Sequence, residues 1–227
     1  MNQVAYRIID TGSSFSFPDT HAFLQVAQAD GASRVYLGAN AGLRYQREQA
    51  DAQAAPFVAI ELDTECLGVH TGEEDDGQAG NVVGFARFRL GEGEPTPLVE
   101  LVRKPFTRPQ TLQAARQAFE AAGLVVAVCN DFPGRILNRL VRPFYNAALR
   151  RLDEGLASAE DMDTTLRLGL GYPEGPISLL RRTGLHHHYR VTQALYQMLG
   201  QEAYAPARQA RVAWLRQNAE TDDARAQ

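Results

Sequence analysis

An α/β sheet followed by an all-α bundle is the fold class this sequence predicts. Three observations carry it. Strand-like and helix-like segments alternate from Val4 to Ile60. A continuous apolar run, Leu124-Val-Val-Ala-Val-Cys129, closes that pattern like a strand buried on both faces. Past Pro133 the apolar residues Leu137, Leu140, Val141, Phe144, Ala148 and Leu152 recur at three and four. The break falls at Asn130-Asp131, giving an α/β domain over 1–130 and a helical domain over 131–227. A chain of 227 residues can bury two such cores without staples.

The elements follow in order. Val4 to Asp10 is a strand, and Thr11 to Ser14 supply turn residues. A short helix runs from Asp19, a good N-cap, through Gln28. Arg34 to Leu37 is the second strand, Gly38 to Gly42 a turn, Leu43 to Gln53 a helix, and Phe57 to Ile60 the third strand. Gly72-Glu-Glu-Asp-Asp-Gly77 lacks the alternating ligands of a calcium loop and reads as a solvated loop. Asn81 to Leu90 is a strand with Ala86, Phe88 and Leu90 on one face, Arg87 and Arg89 on the other. Leu98 to Val102 is another strand. A helix from Thr107 or Arg108, with Pro109 in its first turn, reaches Gly123.

Beyond Pro133 a long helix ends at Gly155, with Arg135, Arg139, Arg142, Arg150 and Arg151 reading as a solvated basic face or, alternatively, as contacts for a polyanionic ligand. Ser158 and Asp161 have capping-box spacing and open a helix through Leu168. Gly169 to Pro176 is a rigid turn. Helices follow over Ile177–Thr183, His186–Leu199 and Glu202 to Gln217, and a frayed polar tail over 219–227.

Composition narrows the function classes. Lys and Arg number 23 against 27 Asp and Glu, a net charge of -4, which argues against nucleic acid or an anionic membrane as the main partner. Met1 to Asp10 does not read as a signal peptide. No apolar stretch approaches the ~18 residues of a membrane span. Cys66 and Cys129 lie too far apart for a C-x-x-C zinc site and read as reduced thiols of a cytoplasmic protein.

Residues 96 to 200 resemble the 3-hydroxyacyl-CoA dehydrogenase family. Leu98-Val-Glu-Leu-Val-Arg-Lys-Pro-Phe-Thr107 is similar to the strand and turn entering that family's last Rossmann crossover. Asp131-Phe-Pro-Gly-Arg-Ile-Leu-Asn-Arg-Leu140 resembles the family segment D/S-x-P-G-F-x-x-N-R-L, which begins the first long helix of its C-terminal domain. Leu152-Asp-Glu-Gly155, Asp161-Met-Asp163, Leu168-Gly-Leu-Gly-Tyr-Pro-Glu-Gly-Pro176, Leu179-Leu180 and Gly184-Leu185 continue the match in order. The resemblance implies a homodimer through the C-terminal helices, an acyl-CoA ligand and, in a competent member, NAD.

The front half departs from that family. It reads as a shortened, degenerate Rossmann-like domain, with about one βαβ unit missing. G-x-G-x-x-G is absent. Thr11-Gly-Ser-Ser14 and Gly38-Ala-Asn-Ala-Gly42 hold too few glycines for a pyrophosphate cradle. The family's general-base histidine falls on Ala86, which cannot take a proton. Its orienting glutamate matches Glu100, its helix asparagine matches Asn138, and its serine turn corresponds to Asp63-Thr-Glu-Cys66 with Glu65 or Cys66 at the serine. Glu100 and Asn138 are therefore the candidate catalytic positions. Arg87 falls on the opposite face from Ala86 and is a doubtful substitute, and His70 reads as a surface or loop histidine with a substitute base as the alternative. His21 reads as solvated. His186-His-His188 opens a helix without metal, because consecutive helical residues point about 100° apart; no metal is expected.

Three functions compete. The first is a homodimeric member that binds acyl-CoA without dehydrogenase activity and without cofactor. The second is an active NAD-dependent oxidoreductase with a rearranged cofactor loop, and the third a non-catalytic partner of a full-length dehydrogenase.

Overall fold

The computed structural model describes residues 4–74 and 80–226. It divides into two compact units, 1–89 with 95–136 and 90–94 with 137–227. The break thus falls after Ile136 rather than after Asn130, because the Pro133-Gly134 turn is bonded to the first unit.

The first unit is a six-stranded sheet of β1 (Tyr6–Asp10), β2 (Ser33–Leu37), β3 (Val58–Glu61), β4 (Val82–Arg87), β5 (Leu98–Arg103) and β6 (Val125–Asn130), side by side in chain order. Strands β1 to β4 are parallel, β5 runs antiparallel to β4, and β6 parallel to β5. Alternation along the strands feeds two cores. Phe57, Ala59, Val83, Phe85, Val99 and Leu101 meet Phe23 of α1 (Ala22–Gln25) and Phe119 of α4 (Pro109–Ala121) on one face. Val58, Ile60, Val82 and Val102 meet Ala41 and Tyr45 of α2 (Ala41–Ala52) on the other. Two covered faces explain why β3 and β4 are apolar without alternation.

Several expectations are corrected. The first helix is one turn, capped by His21, whose Nδ1 accepts the Phe23 amide at 3.0 Å; Asp19 is not the cap, and His21 is not a free solvated side chain. Strand β6 lies at the sheet edge, so Val125 and Val128 are exposed, not buried on both faces. A short helix, α3 (Gly68–Thr71), carries His70 in place of a loop. Of the acidic loop, Asp75 to Gly77 lie outside the described residues.

The second unit holds α5 (Leu137–Asp153), α6 (Ala159–Leu170), α7 (Pro176–Thr183), α8 (Leu185–Leu199), a 3₁₀ turn at Glu202–Tyr204 and α9 (Arg208–Ala226). The last helix runs through the tail expected to fray, and Gln227 is outside the described residues. The buried face of α5 is not the apolar stripe of the sequence. It is Asn138, Arg142, Asn146, Ala148 and Leu149, of which only Ala148 belongs to that stripe, while Leu140 is exposed. The offset follows from a polar network within the unit, described below. The capping at Ser158 is present: its Oγ accepts the Asp161 amide at 3.1 Å and donates to Asp161 Oδ2 at 2.7 Å.

Asp163 of α6 fixes α7. Its carboxylate accepts the amides of Ile177 and Ser178, each at 2.9 Å, and the Ser178 hydroxyl at 2.6 Å. A Cβ at Gly175 would come within 2.2 Å of Asp163, so glycine is required there for space. Asp163→Ala strands the first amides of α7 and should cost about 1–3 kcal/mol. Urea denaturation should show a lower midpoint, with Asp163→Asn intermediate.

Candidate functional site

The antiparallel register sets Ala86 of β4 directly opposite Glu100 of β5. Paired residues of this kind share a face, so a histidine at 86 would have Glu100 as its neighbour. Alanine offers no nitrogen. Both positions are buried, Glu100 at 1% exposure. A carboxylate there needs a partner, because isolated buried charge is costly.

Glu100 has one, from a residue outside the candidate set. Its Oε2 lies 3.5 Å from Nε of Arg135, whose side chain is also buried, and its Oε1 accepts the Ile136 amide at 2.8 Å. Arg135 is the one non-glycine residue at positive φ (53°) among those described. That left-handed conformation costs energy outside glycine and persists where surroundings impose it. Arg135 Nη2 donates to the Asp63 carbonyl, and the Gly134 amide to the Thr64 carbonyl at 2.8 Å. Glu100 therefore anchors the turn that leaves the sheet. Arg135 is not part of a solvated basic face. Cys129 on β6 is a neutral thiol, pushed up to about 11 by burial and by the charge of Glu100.

The turn after β3 is closed on itself. Glu65 accepts the Asp63 amide through both oxygens and lies 3.3 Å from His70 Nε2. Burial raises the Glu65 carboxyl, but the His70 bond and the amides outweigh it and hold it below its usual range. Burial pushes the Cys66 thiol up, with Asp131 adding to it. Asp131 accepts the amides of Leu67 at 2.6 Å and Gly68 at 2.8 Å. His70 thus faces Glu65 and is wedged against α2, where a Cβ at Gly42 would strike its ring at 2.1 Å.

A third carboxylate occupies the loops at the carboxyl ends of the first strands. Glu61, at the end of β3, accepts the Ser14 hydroxyl at 2.9 Å and the Ser16 amide at 2.7 Å through Oε1. Through Oε2 it accepts the Gly38 amide at 2.7 Å. Gly38 has φ 108°, and a Cβ on it would meet the Gly12 carbonyl oxygen at 2.3 Å. The two glycine turns therefore press on each other, and the amide after β2 already holds an anion. Arg87, on the face away from Ala86, donates to the carbonyls of Ser16, Pro95 and Thr96 and lies over Phe17.

Asn138 belongs to the second unit. Its Oδ1 accepts from Arg142 Nε at 2.9 Å, Arg142 Nη1 meets His188 Nδ1 at 3.0 Å, and His188 Nε2 meets Asn146 Oδ1 at 2.9 Å. Asn146 Nδ2 then donates to the carbonyls of Ala203 and Ala205. Burial, and then Arg142, hold His188 well below its ordinary range. It is neutral, accepting at Nδ1 and donating at Nε2. Arg142 is accordingly a core residue, not a solvated one.

The sequence reading found Glu100, Asn138 and the empty position 86. Arg135 was visible only as a departure from phenylalanine in the Pro-Gly-Phe pattern. Nothing in the sequence singled out Glu61.

Fold and site define a class: a Rossmann-like sheet unit followed by a helical unit of the kind found in hydroxyacyl-CoA dehydrogenases. Residues 134–223 match the model of the 3-hydroxyacyl-CoA dehydrogenase C-terminal domain. Over that stretch the chain is similar to the C-terminal domain of the 3-hydroxyacyl-CoA dehydrogenase family, and its likeness to members of that family spans about half of its length. It is 34% identical over 116 residues to a probable 3-hydroxybutyryl-CoA dehydrogenase of Deinococcus radiodurans, covering 50% of this chain and 42% of the relative. To the mitochondrial hydroxyacyl-coenzyme A dehydrogenase of Homo sapiens it is 42% identical over 88 residues, 39% of this chain and 28% of the relative. The matches thus span less than half of those relatives. Among solved structures, (S)-3-hydroxybutyryl-CoA dehydrogenase from Ralstonia eutropha aligns with TM-score 0.65 and 26% identity over 80% of this chain and 64% of that one. The 3-hydroxybutyryl-CoA dehydrogenase from Escherichia coli K12 aligns with TM-score 0.67 and 22% identity over 86% and 40%, a likeness of fold. Among the described residues no helix is long and apolar enough to cross a membrane.

Two predictions follow from these contacts. Arg135→Met leaves Glu100 buried without its cation and should cost about 3–5 kcal/mol, whereas Glu100→Gln with Arg135→Met should cost less than the single change; chemical denaturation of the two variants checks this. The second concerns pH. The folded pKa of His188 is depressed, so near and below pH 6.5 the unfolded chain binds more protons than the folded one. The stability from keeping His188 neutral should be full above its unfolded value of about 6.5 and fall as pH drops below it. His188→Gln should flatten that slope in denaturation curves taken across the range.

Proposed function

We propose that this chain is a 3-hydroxyacyl-CoA dehydrogenase-like protein of acyl-CoA metabolism that carries out no hydride transfer of its own. The observation that carries the reading is Ala86 facing a Glu100 already engaged by Arg135. Oxidation of a 3-hydroxyl needs a base to take the proton as hydride leaves. Position 86 supplies none, and the other nitrogen of His70, Nδ1, is buried against Gly42 of α2, away from solvent.

NAD fits these residues poorly. Dinucleotides bind where the strand order of an open sheet reverses. The described strands here run β1 to β6 with no reversal. The amide of Gly38 is taken by the Glu61 carboxylate, whose charge opposes a pyrophosphate, and the Gly38 backbone packs directly on the Gly12 carbonyl. The reading therefore includes no cofactor.

The helical unit supports the rest. Leu140, Leu156, Leu168 and Leu170 are exposed apolar side chains of α5, α6 and their connection, and Val141, Phe144, Tyr145, Tyr172, Pro176 and Leu179 line an apolar hollow of about 460 Å³. Surfaces of this kind favour association, here a homodimer through the C-terminal helices. An acyl-CoA ligand is part of the proposal through the family. Glu100 and Asn138 would be positioning residues of the scaffold rather than catalysts. An active NAD-dependent enzyme is favoured only by their retention, and each is held in a structural network.

The test is turnover of acetoacetyl-CoA with NADH by the pure protein, with calorimetric titration of acetoacetyl-CoA alone. Binding without turnover is expected. Turnover at a rate typical of dehydrogenases overturns the inactive reading, and absence of thioester binding overturns the ligand. A stable self-dimer in size-exclusion chromatography is expected; a monomer that dimerises only with a full-length dehydrogenase would favour the partner-subunit reading.

A further inference from the structure

A cluster of metal-ligating side chains lies wholly within the second unit, away from every residue discussed above as catalytic. The 90–94 segment reaches it through a close backbone approach. The Glu92 amide donates to the Thr183 carbonyl at 3.1 Å. Gly91 has φ 56°, and a Cβ there would meet the Thr183 oxygen at 1.7 Å, so only glycine admits the contact. Gly184, φ 92°, then opens α8 with His186 and His187 in its first turn.

The two imidazoles have centroids 4.0 Å apart. A ligand nitrogen of each and a carboxylate oxygen of Glu92 all lie within 4.8 Å of one another. His187 Nε2 is 3.6 Å from Glu92 Oε1, too far for a hydrogen bond. That nitrogen is buried and lacks a hydrogen-bond partner. A buried imidazole nitrogen aimed at a carboxylate but bonded to nothing is an unmet ligand. The third histidine is no rival, because its ring turns into the core against Arg142 and Asn146. The rule against three neighbouring helical histidines sharing a metal therefore does not apply: the third ligand comes from another segment.

We propose that Glu92, His186 and His187 hold a divalent cation of the zinc type, with solvent in the remaining position. Two imidazoles and one carboxylate suit Zn²⁺, Co²⁺ or Ni²⁺ and not Ca²⁺ or Mg²⁺. Tetrahedral Zn²⁺ with ligands at about 2.0–2.2 Å needs donor atoms roughly 3.3–3.6 Å apart. The His187–Glu92 distance is close to that already, and the exposed Glu92 and the half-buried His186 can close the rest by side-chain rotation. The ion would pin the 90–94 segment to the start of α8.

The test uses tag-free, chelator-stripped full-length protein, because a histidine tag would bind the same ions. Zn²⁺ is titrated against a chromophoric competitor, Co²⁺ is followed by its visible spectrum, and thermal midpoints are read with and without Zn²⁺. One equivalent is expected, with intense tetrahedral Co²⁺ bands and a metal-dependent rise in midpoint. Affinity should fall at least about tenfold in Glu92→Gln and further in His187→Ala. Glu92 is exposed, so Glu92→Gln keeps the test valid if His187→Ala does not fold. Equal affinity in wild type and Glu92→Gln, or only the pale spectrum of hydrated Co²⁺, overturns the proposal.

Discussion

The buried carboxylate of Glu100 is the constraint on which the end of the sheet unit depends. It sits on a strand covered on both faces, where a negative charge is tolerated only with a cation and donors beside it. The Ile136 amide and the Arg135 guanidinium supply them. To deliver that guanidinium the chain adopts a left-handed backbone at Arg135, which also aligns Gly134 and the Arg135 side chain with the carbonyls of the β3 turn. One pairing thus fixes the turn at which the sheet unit ends. The pairing also bears on chemistry. Opposite Glu100 stands an alanine, so the carboxylate has no imidazole to orient.

A second carboxylate has a parallel role two strands away, at the carboxyl end of β3. Glu61 gathers the Ser16 and Gly38 amides and the Ser14 hydroxyl, groups that would otherwise be free donors at the carboxyl ends of parallel strands. Such donors are what an open α/β sheet offers to a phosphate. Here they are satisfied internally by a side chain of the same sign as the ligand. Strand order points the same way, since a sheet laid down in sequence order has no switch point to form the crevice.

Much of this architecture was legible in the residues. The strands and the crossover helix α4 follow from apolar runs and from Pro109 and Gly123, because those signals are local. Position 86 and Glu100 could be placed against each other from a motif alone, and the antiparallel register agrees. Other features were hidden because they depend on pairings distant in sequence. The buried face of α5 was misassigned: periodicity marks apolar residues, whereas Arg142 and Asn146 are buried by partners on α8 and the 3₁₀ turn. Arg135 looked like one more surface arginine until Glu100 was found beneath it. Edge position, which exposes Val125 and Val128, follows from topology and not from composition.

On the proposed function, the chain has closed the dinucleotide site of its sheet with its own side chains and carries no base at position 86. The most direct measurement is a fluorescence titration of the pure chain with NADH, repeated on Glu61→Ala. The account predicts no saturable enhancement in the wild type, and none in the variant, because Gly12 and Gly38 remain in contact. Saturable binding of NADH by the wild type at micromolar concentration would contradict it.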